Sequence, residues 1–368
     1  MKKILFIANG HGEDLVAAQL IKELKGKRLK MDVMPVVGKG DIFKTLNVKL
    51  IGPKKILPGG GFGFRNYSYL IKDLFSGLIG KAIAQIRTLR ANKGKYDLVV
   101  GIGDIVPIIY SILTGCNFIF VGVNKSEYYK KLAFNYTALE KWLLKKYCKL
   151  TLARDAKTSR SLGFLGIKTK YFGNPMMDGV RRDARWEMRS ARKGRKKVIG
   201  FLPGTREDAY KNIEDFYKIA WQINRLDKNV DFMLSFPPNL DKARFKTLKS
   251  PIKVPSTGNF AEMLKISDII IGLSGTGNEQ AAGLGIPVIA FPGRGAQFNS
   301  RFSSGQKELL GNALLLLPRD SWIIAKEAIS LIRNRKRIKM MGAAGRKRMG
   351  GPGATDKIAK MILKEIGR

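Results

Sequence analysis

The chain has 368 residues, 45% of them hydrophobic, with 40 glycines and a formal net charge of +39 from 68 Lys and Arg against 29 Asp and Glu. That length predicts two domains of roughly 150–190 residues each, and the glycine content suits an α/β protein with many tight strand-to-helix turns. Two cysteines without a Cys-x-x-Cys and a single histidine exclude a disulfide framework and a zinc centre, no apolar run reaches membrane-spanning length, and the run at 4–8 is too short for a signal peptide.

The first half alternates strand-like apolar runs with amphipathic stretches, the pattern of a parallel sheet with crossover helices. Residues 4–8 read as a strand and 13–24 as a helix; later strands fall at 33–37, 97–102, 118–123, 150–153 and 169–172, and long helices over 67–90 and 128–147. Between them lies Pro58-Gly-Gly-Gly-Phe-Gly-Phe-Arg-Asn-Tyr67, which presents Phe62, Phe64 and Tyr67 on a glycine-rich loop ahead of an apolar helix. Two readings stay open there: a face that dips into a bilayer interface, or a core helix behind a loop. In 128–147 the apolar positions Leu132, Phe134, Leu139, Trp142 and Leu143 are assigned to core packing, with the lysines on a solvated face. Gly173-Asn-Pro-Met-Met-Asp-Gly179 and the basic run 181–197 form a linker.

The second half restarts with a strand at 198–202 that enters Pro203-Gly-Thr-Arg206. A helix follows over 212–226, then strands at 232–236, 269–272, 288–291 and 313–317, and terminal helices over 322–333 and 354–366. The expectation is an α/β fold of two doubly wound Rossmann-like domains facing across a cleft. The first spans 1–173 and the second 174–353, while 354–368 is a C-terminal helix that packs back on the first.

Three loops carry chemistry. The strongest is Gly272-Leu-Ser-Gly-Thr-Gly-Asn-Glu-Gln280, where an apolar run ends in a small-residue turn ahead of a helix. Bare amides of Ser274, Gly275, Thr276 and Gly277 at a helix N-terminus suit a diphosphate. Glu279, placed in the first turn, would accept from ribose hydroxyls, so the pair describes a nucleotide-sugar site. Asn9-Gly-His-Gly-Glu-Asp14 follows the first strand, so its side chains point to the crevice at the strand C-termini. Gly10 and Gly12 lack the third glycine of a dinucleotide fingerprint, because position 15 is Leu. His11 is the only imidazole and a candidate base toward an attacking hydroxyl, whereas Glu13 and Asp14 also make sense as first-turn acids worth ~0.3–1 kcal/mol each. Asp104, in Gly101-Ile-Gly-Asp104, is either a catalytic acid, a helix N-cap, or both.

With these residues in place, the chain resembles the GT-B glycosyltransferases, and within them the lipid-A-disaccharide synthase family, closest to its synthase-related branch. The peptidoglycan N-acetylglucosaminyltransferase acting on lipid-linked muropeptide is a more distant resemblance. The likeness covers nearly the whole chain as domain order, with specific residues at 9–14, 173–175, 201–206 and 273–297. It implies an inverting transfer of a GlcNAc-type sugar from a UDP-sugar to a lipid-like acceptor. Donor binding would fall to Arg206, Ser274, Gly275, Thr276, Asn278, Glu279 and Gln297, while Arg294 could instead touch a phosphate. Catalysis would fall to His11 or Asp104, and acceptor binding to the loop of Gly10, Gly12, Glu13 and Asp14. Leu202-Pro-Gly-Thr-Arg206 stands for the family's Leu-Pro-Gly-Ser-Arg, and Asn174-Pro175 for its domain hinge. The family's Gly-Ile-Asp is displaced by one position, with Gly103 where its Asp would fall, and its lipid-A members lack a histidine in the first loop. No metal or other cofactor and no nucleic acid is expected, and the placement is cytoplasmic and peripheral on an anionic membrane. A UDP-sugar epimerase, or a non-catalytic basic protein binding anionic membrane or nucleic acid, is the alternative.

Overall fold

The structure is a computed structural model that describes residues 1–53, 78–130, 134–180, 196–205, 207–237, 240–295 and 298–367, without the side chains of His11, Leu78 and Lys246. Arg206, Gln297, the aromatic loop at 58–67 and most of the basic linker, 181–195, lie outside the described residues. The chain divides into two compact units, Met1–Gly179 with Pro352–Arg368, and Val180–Gly351.

The first unit is built on seven parallel strands: β1 (Lys2–Ala8), β2 (Leu29–Pro35), β3 (Lys49–Leu50), β4 (Leu98–Gly103), β5 (Phe118–Gly122), β6 (Leu150–Leu152) and β7 (Thr169–Lys170). Their order is β3-β2-β1-β4-β5-β6-β7, so the winding reverses between β1 and β4 and opens a crevice at their C-terminal ends. Ile4 to Ala8 and the whole of β4 are buried, as strands covered by helices on both faces must be. The described helices are α1 (His11–Leu24), α2 (Leu78–Ala91), α3 (Ile105–Leu113), α4 (Ala138–Tyr147) and α5 (Ala156–Phe164), joined by the C-terminal helix (Ala354–Ile366). That last helix puts Ile358, Ile362 and Ile366 into one core with Val16 and Leu20 of α1. Asp178 tethers its start, accepting from Gly353 N and, at 2.6 Å, from Thr355 N.

Two expectations for this unit change. The helix expected over 128–147 begins only at Ala138, because Thr137 and Glu140 form a capping box that fixes its start. Within it Leu143 and Leu144 are buried, but Leu139 and Trp142 are each 52% exposed and take no part in the core.

The second unit has six parallel strands, β8 (Lys197–Leu202), β9 (Val230–Ser235), β10 (Ser256–Thr257), β11 (Ile269–Gly272), β12 (Val288–Ala290) and β13 (Leu314–Leu316), in the order β10-β9-β8-β11-β12-β13. The winding reverses between β8 and β11. Its helices are α6 (Asp208–Leu226), α7 (Lys242–Thr247), α8 (Phe260–Ile266), α9 (Gly275–Gly283), α10 (Ser300–Leu310), α11 (Ser321–Arg333) and α12 (Arg335–Met349); the C-terminal helix of the first unit is α13. Helix α12 has no acid, is basic at both ends and was not foreseen. It is seated by backbone contact: a Cβ on Gly345 would collide with the Ala282 carbonyl of α9, and one on Gly342 would stand 2.5 Å from the Gly285 carbonyl. Among the described residues no helix is long and apolar enough to cross a membrane.

Candidate functional site

In the second unit the β11–α9 turn sits where the sheet reverses. Leu273 N donates to Leu202 O at 2.8 Å, tying the turn to the end of β8. Ser274 is extended and caps α9, its Oγ accepting from Gly277 N at 3.2 Å. The helix therefore starts at Gly275, which moves Glu279 from the expected first turn into the second. Gln306 of α10 braces the turn, its Nε2 donating to Ser274 O at 3.1 Å and Gly275 O at 2.7 Å. Asn278 completes the brace: its Nδ2 donates to Gly272 O at 3.0 Å and to Gln306 Oε1 at 2.8 Å. Asn278 is fully buried, so it supports the turn from behind rather than reaching a ligand. The amides of Gly275 and Thr276 are left without partners among the described residues. Two donors at the positive end of a helix, on a turn that is already held rigid, fit a doubly charged anion.

Arg294 is committed elsewhere. Its guanidinium forks onto Asp215 at 2.9 and 2.6 Å, and its own amide donates to Asn212 Oδ1 at 3.1 Å. The Asp215 carboxylate holds Arg294 above its ordinary value and takes one edge of the fork, while Nη1 faces Glu214 at 3.5 Å, so both acids beside the guanidinium oppose a phosphate there.

In the first unit the expected loop at 9–14 is shorter than foreseen. Gly10 turns with φ of 134° and α1 begins at His11, so the helix expected from Glu13 starts two residues earlier and takes in Gly12 ahead of Glu13 and Asp14. Glycine is needed at 10 both for that φ and because a Cβ would press on the Glu13 carboxylate at 2.7 Å. Glu13 is only 6% exposed and accepts from Asn124 Nδ2, beyond the end of β5. Asn9 Nδ2 donates to Asp104 Oδ1 at 2.8 Å, and the same oxygen accepts from Val106 N at 3.1 Å as the cap of α3. Asn9, Glu13, Asp104 and Asn124 thus meet at the C-terminal ends of β1, β4 and β5, the crevice of a doubly wound sheet. Asn124 and Gln306 were not read from the sequence. Each is an unremarkable polar residue whose partner lies on another element.

Asp14, the next residue along α1, is buried within charge range of Lys81. Its side chain is 5% exposed and Oδ1 has no hydrogen bond. Burial pushes its carboxyl up to about 7, while the Lys81 ammonium pulls the other way. Lys81 of α2 donates to Val37 O at 3.0 Å, and its own burial lowers it. Asn174 is fully buried, its Oδ1 accepting from Met176 N at 3.1 Å, which makes the turn at 175–179 a local one.

No protein-family model matches the chain, and no curated protein matches it in sequence. Solved structures match it in fold. The MurG structure of Acinetobacter baumannii aligns with a TM-score of 0.65 at 14% identity, over 99% of this chain and 100% of the other. CalG4, the calicheamicin glycosyltransferase, gives 0.67 at 14% identity, over 100% and 99%. The UDP-GlcNAc 2-epimerase of Neisseria meningitidis bound to UDP-GlcNAc gives 0.61 at 16% identity, over 98% and 100%. The fold is therefore the GT-B one, two parallel-sheet α/β units, and it is shared with glycosyltransferases and epimerases alike.

Proposed function

We propose that the chain is an inverting glycosyltransferase that moves a GlcNAc-type sugar from a UDP donor to a lipid-linked acceptor at an anionic membrane surface, as in the lipid-A-disaccharide synthase family it resembles. The observation that carries this reading is the braced β11–α9 turn with two unpartnered amides. In the reaction the acceptor oxygen attacks the anomeric carbon as that carbon's bond to the diphosphate oxygen breaks. Negative charge grows on the leaving UDP, where Gly275 N, Thr276 N, the α9 dipole and Arg206 would meet it. Glu279 would hold the ribose hydroxyls and Gln297 the sugar. His11 takes the acceptor's proton in this scheme, because Asp104 already spends Oδ1 on Asn9 and on the cap of α3.

Calorimetric titration with UDP and UDP-GlcNAc, on wild type and Glu279→Ala, tests the donor site. Micromolar binding by wild type that is lost in the variant supports it, and no uridine binding by wild type removes it in favour of a basic binding protein. A UDP-sugar epimerase is the second reading, carried by the fold likeness to the N. meningitidis enzyme. NMR of UDP-GlcNAc incubated without acceptor separates the two, since only an epimerase forms a second hexosamine isomer there.

A further inference from the structure

The first unit carries an aromatic face that its core does not use. On α4, Glu140, Leu143 and Leu144 point inward, whereas Leu139, Trp142 and Lys146 recur at helical spacing on the outside. The Trp142 and Tyr147 rings meet edge to face at 6.0 Å, and Lys146 Nζ stands 5.0 Å from the first ring centre and 5.2 Å from the second. The end of α5 extends this face. Phe164 is 90% exposed with Leu165 beside it, and a Cβ on Gly166 of the same turn would lie 3.4 Å from Cε and Nζ of Lys145. Lys141 and Lys149 are neutralised by Glu127 and Glu365. Lys145 and Lys146 have no carboxylate partner among the described residues.

We propose that this face docks on an anionic lipid bilayer, with Trp142 and Phe164 entering the interface and Lys145 and Lys146 on headgroup phosphates. Exposed aromatics flanked by flexible cations match the boundary between acyl chains and charged headgroups, where the rings leave water while the ammonium groups stay hydrated. Charge argues against a second copy as the occupant: each chain carries a formal +39, and like-charged faces repel. The face lies toward the C-terminal ends of α4 and α5, at the edge of the sheet where β6 and β7 begin and not at the crevice, so the inference rests on the lipid-acceptor reading only for the presence of a membrane.

Co-sedimentation of the full chain with phosphatidylcholine vesicles, with and without phosphatidylglycerol, tests it. Wild type should bind only the anionic vesicles, and Trp142→Ser with Phe164→Ser should lower that partition about tenfold or more at fixed salt. Trp142→Phe with Phe164→Trp should restore it, which sets aside misfolding as the cause. Lys336→Glu with Lys339→Glu lowers the net charge by about four units at exposed positions of α12, where the aromatic pair changes none, and should still cost less than the aromatic pair. Binding by the aromatic variant equal to wild type would reduce the interaction to bulk charge and overturn the proposal. Self-association of wild type abolished by Trp142→Ser would overturn it as well, assigning the face to a second copy. UDP titration of the same variants reads the donor site separately, so failure of one reading is not mistaken for failure of the other.

Discussion

Asp14 gives the sharpest quantitative test of the first unit. An isosteric Asp14→Asn substitution keeps the side-chain shape and removes only the ionisation. The carboxyl is 5% exposed, lacks a hydrogen bond at Oδ1, and burial raises it from 3.8 to about 7. Because the folded value lies above the unfolded one, the folded protein keeps a proton across this window that the unfolded chain has released. Stability is therefore fully present below about pH 4, falls as pH rises toward 7, and is flat beyond. Three units at ~1.36 kcal/mol each put the whole loss at about 4 kcal/mol, of which about 3 kcal/mol falls between pH 5 and pH 8. The Asn variant escapes that loss, so its advantage over wild type should grow by about 3 kcal/mol from pH 5 to pH 8. Lys81 works against this: without the Asp14 charge its own lowered value falls further, which trims the gain at the alkaline end. Urea unfolding of both proteins, followed by far-UV circular dichroism at several pH values, measures the difference. Parallel stability profiles for wild type and variant would refute the argument that Asp14 is buried uncharged.

The braces of the second unit make further predictions. Gln306→Leu strands the Asn278 amide and the carbonyls of Ser274 and Gly275, and should cost ~1–3 kcal/mol by chemical denaturation together with about tenfold in UDP affinity by calorimetry. Gly345→Ala drives a methyl into the Ala282 carbonyl, so α12 must back away from α9; a loss of ~1–3 kcal/mol is expected, and a fully stable variant would contradict the seating. Arg294→Met leaves Asp215 unpaired and should lower stability by ~1–2 kcal/mol, discounted for the partial exposure of the pair. UDP affinity should be unchanged in Arg294→Met, whereas a direct phosphate contact by Arg294 would make it fall.

How far the sequence could be read depended on whether an element is held locally. The central strands of both sheets were legible because buried parallel strands are apolar on both faces, as in Ile4–Ala8 or Ile269–Ile271, whereas the two-residue edge strands β3 and β10 were not expected, having no apolar run to mark them. The β11–α9 turn was legible for a similar reason: Ser274 caps a helix within three residues of itself. Its brace was not, since Gln306 lies 28 residues from Asn278 and on a different helix. Asn124 is 111 residues from Glu13, and the two meet only because β5 lies beside β4 and β4 beside β1. Helix α12 escaped notice because it is held by glycines against the backbone of α9 and shows no apolar stripe. Trp142 was misplaced for the opposite reason: it is the sequence neighbour of the buried Leu143 and Leu144, but at roughly 100° per residue it points about 100° and about 200° away from them. Phe134, counted in the expected stripe, lies ahead of the helix, whose start is set by Thr137 and Glu140, so the stripe joined positions that do not share a face. Once α4 begins at Ala138, Leu139 and Trp142 fall on the outer face, and an apolar count that assigned them to the core becomes an exposed surface in need of a partner.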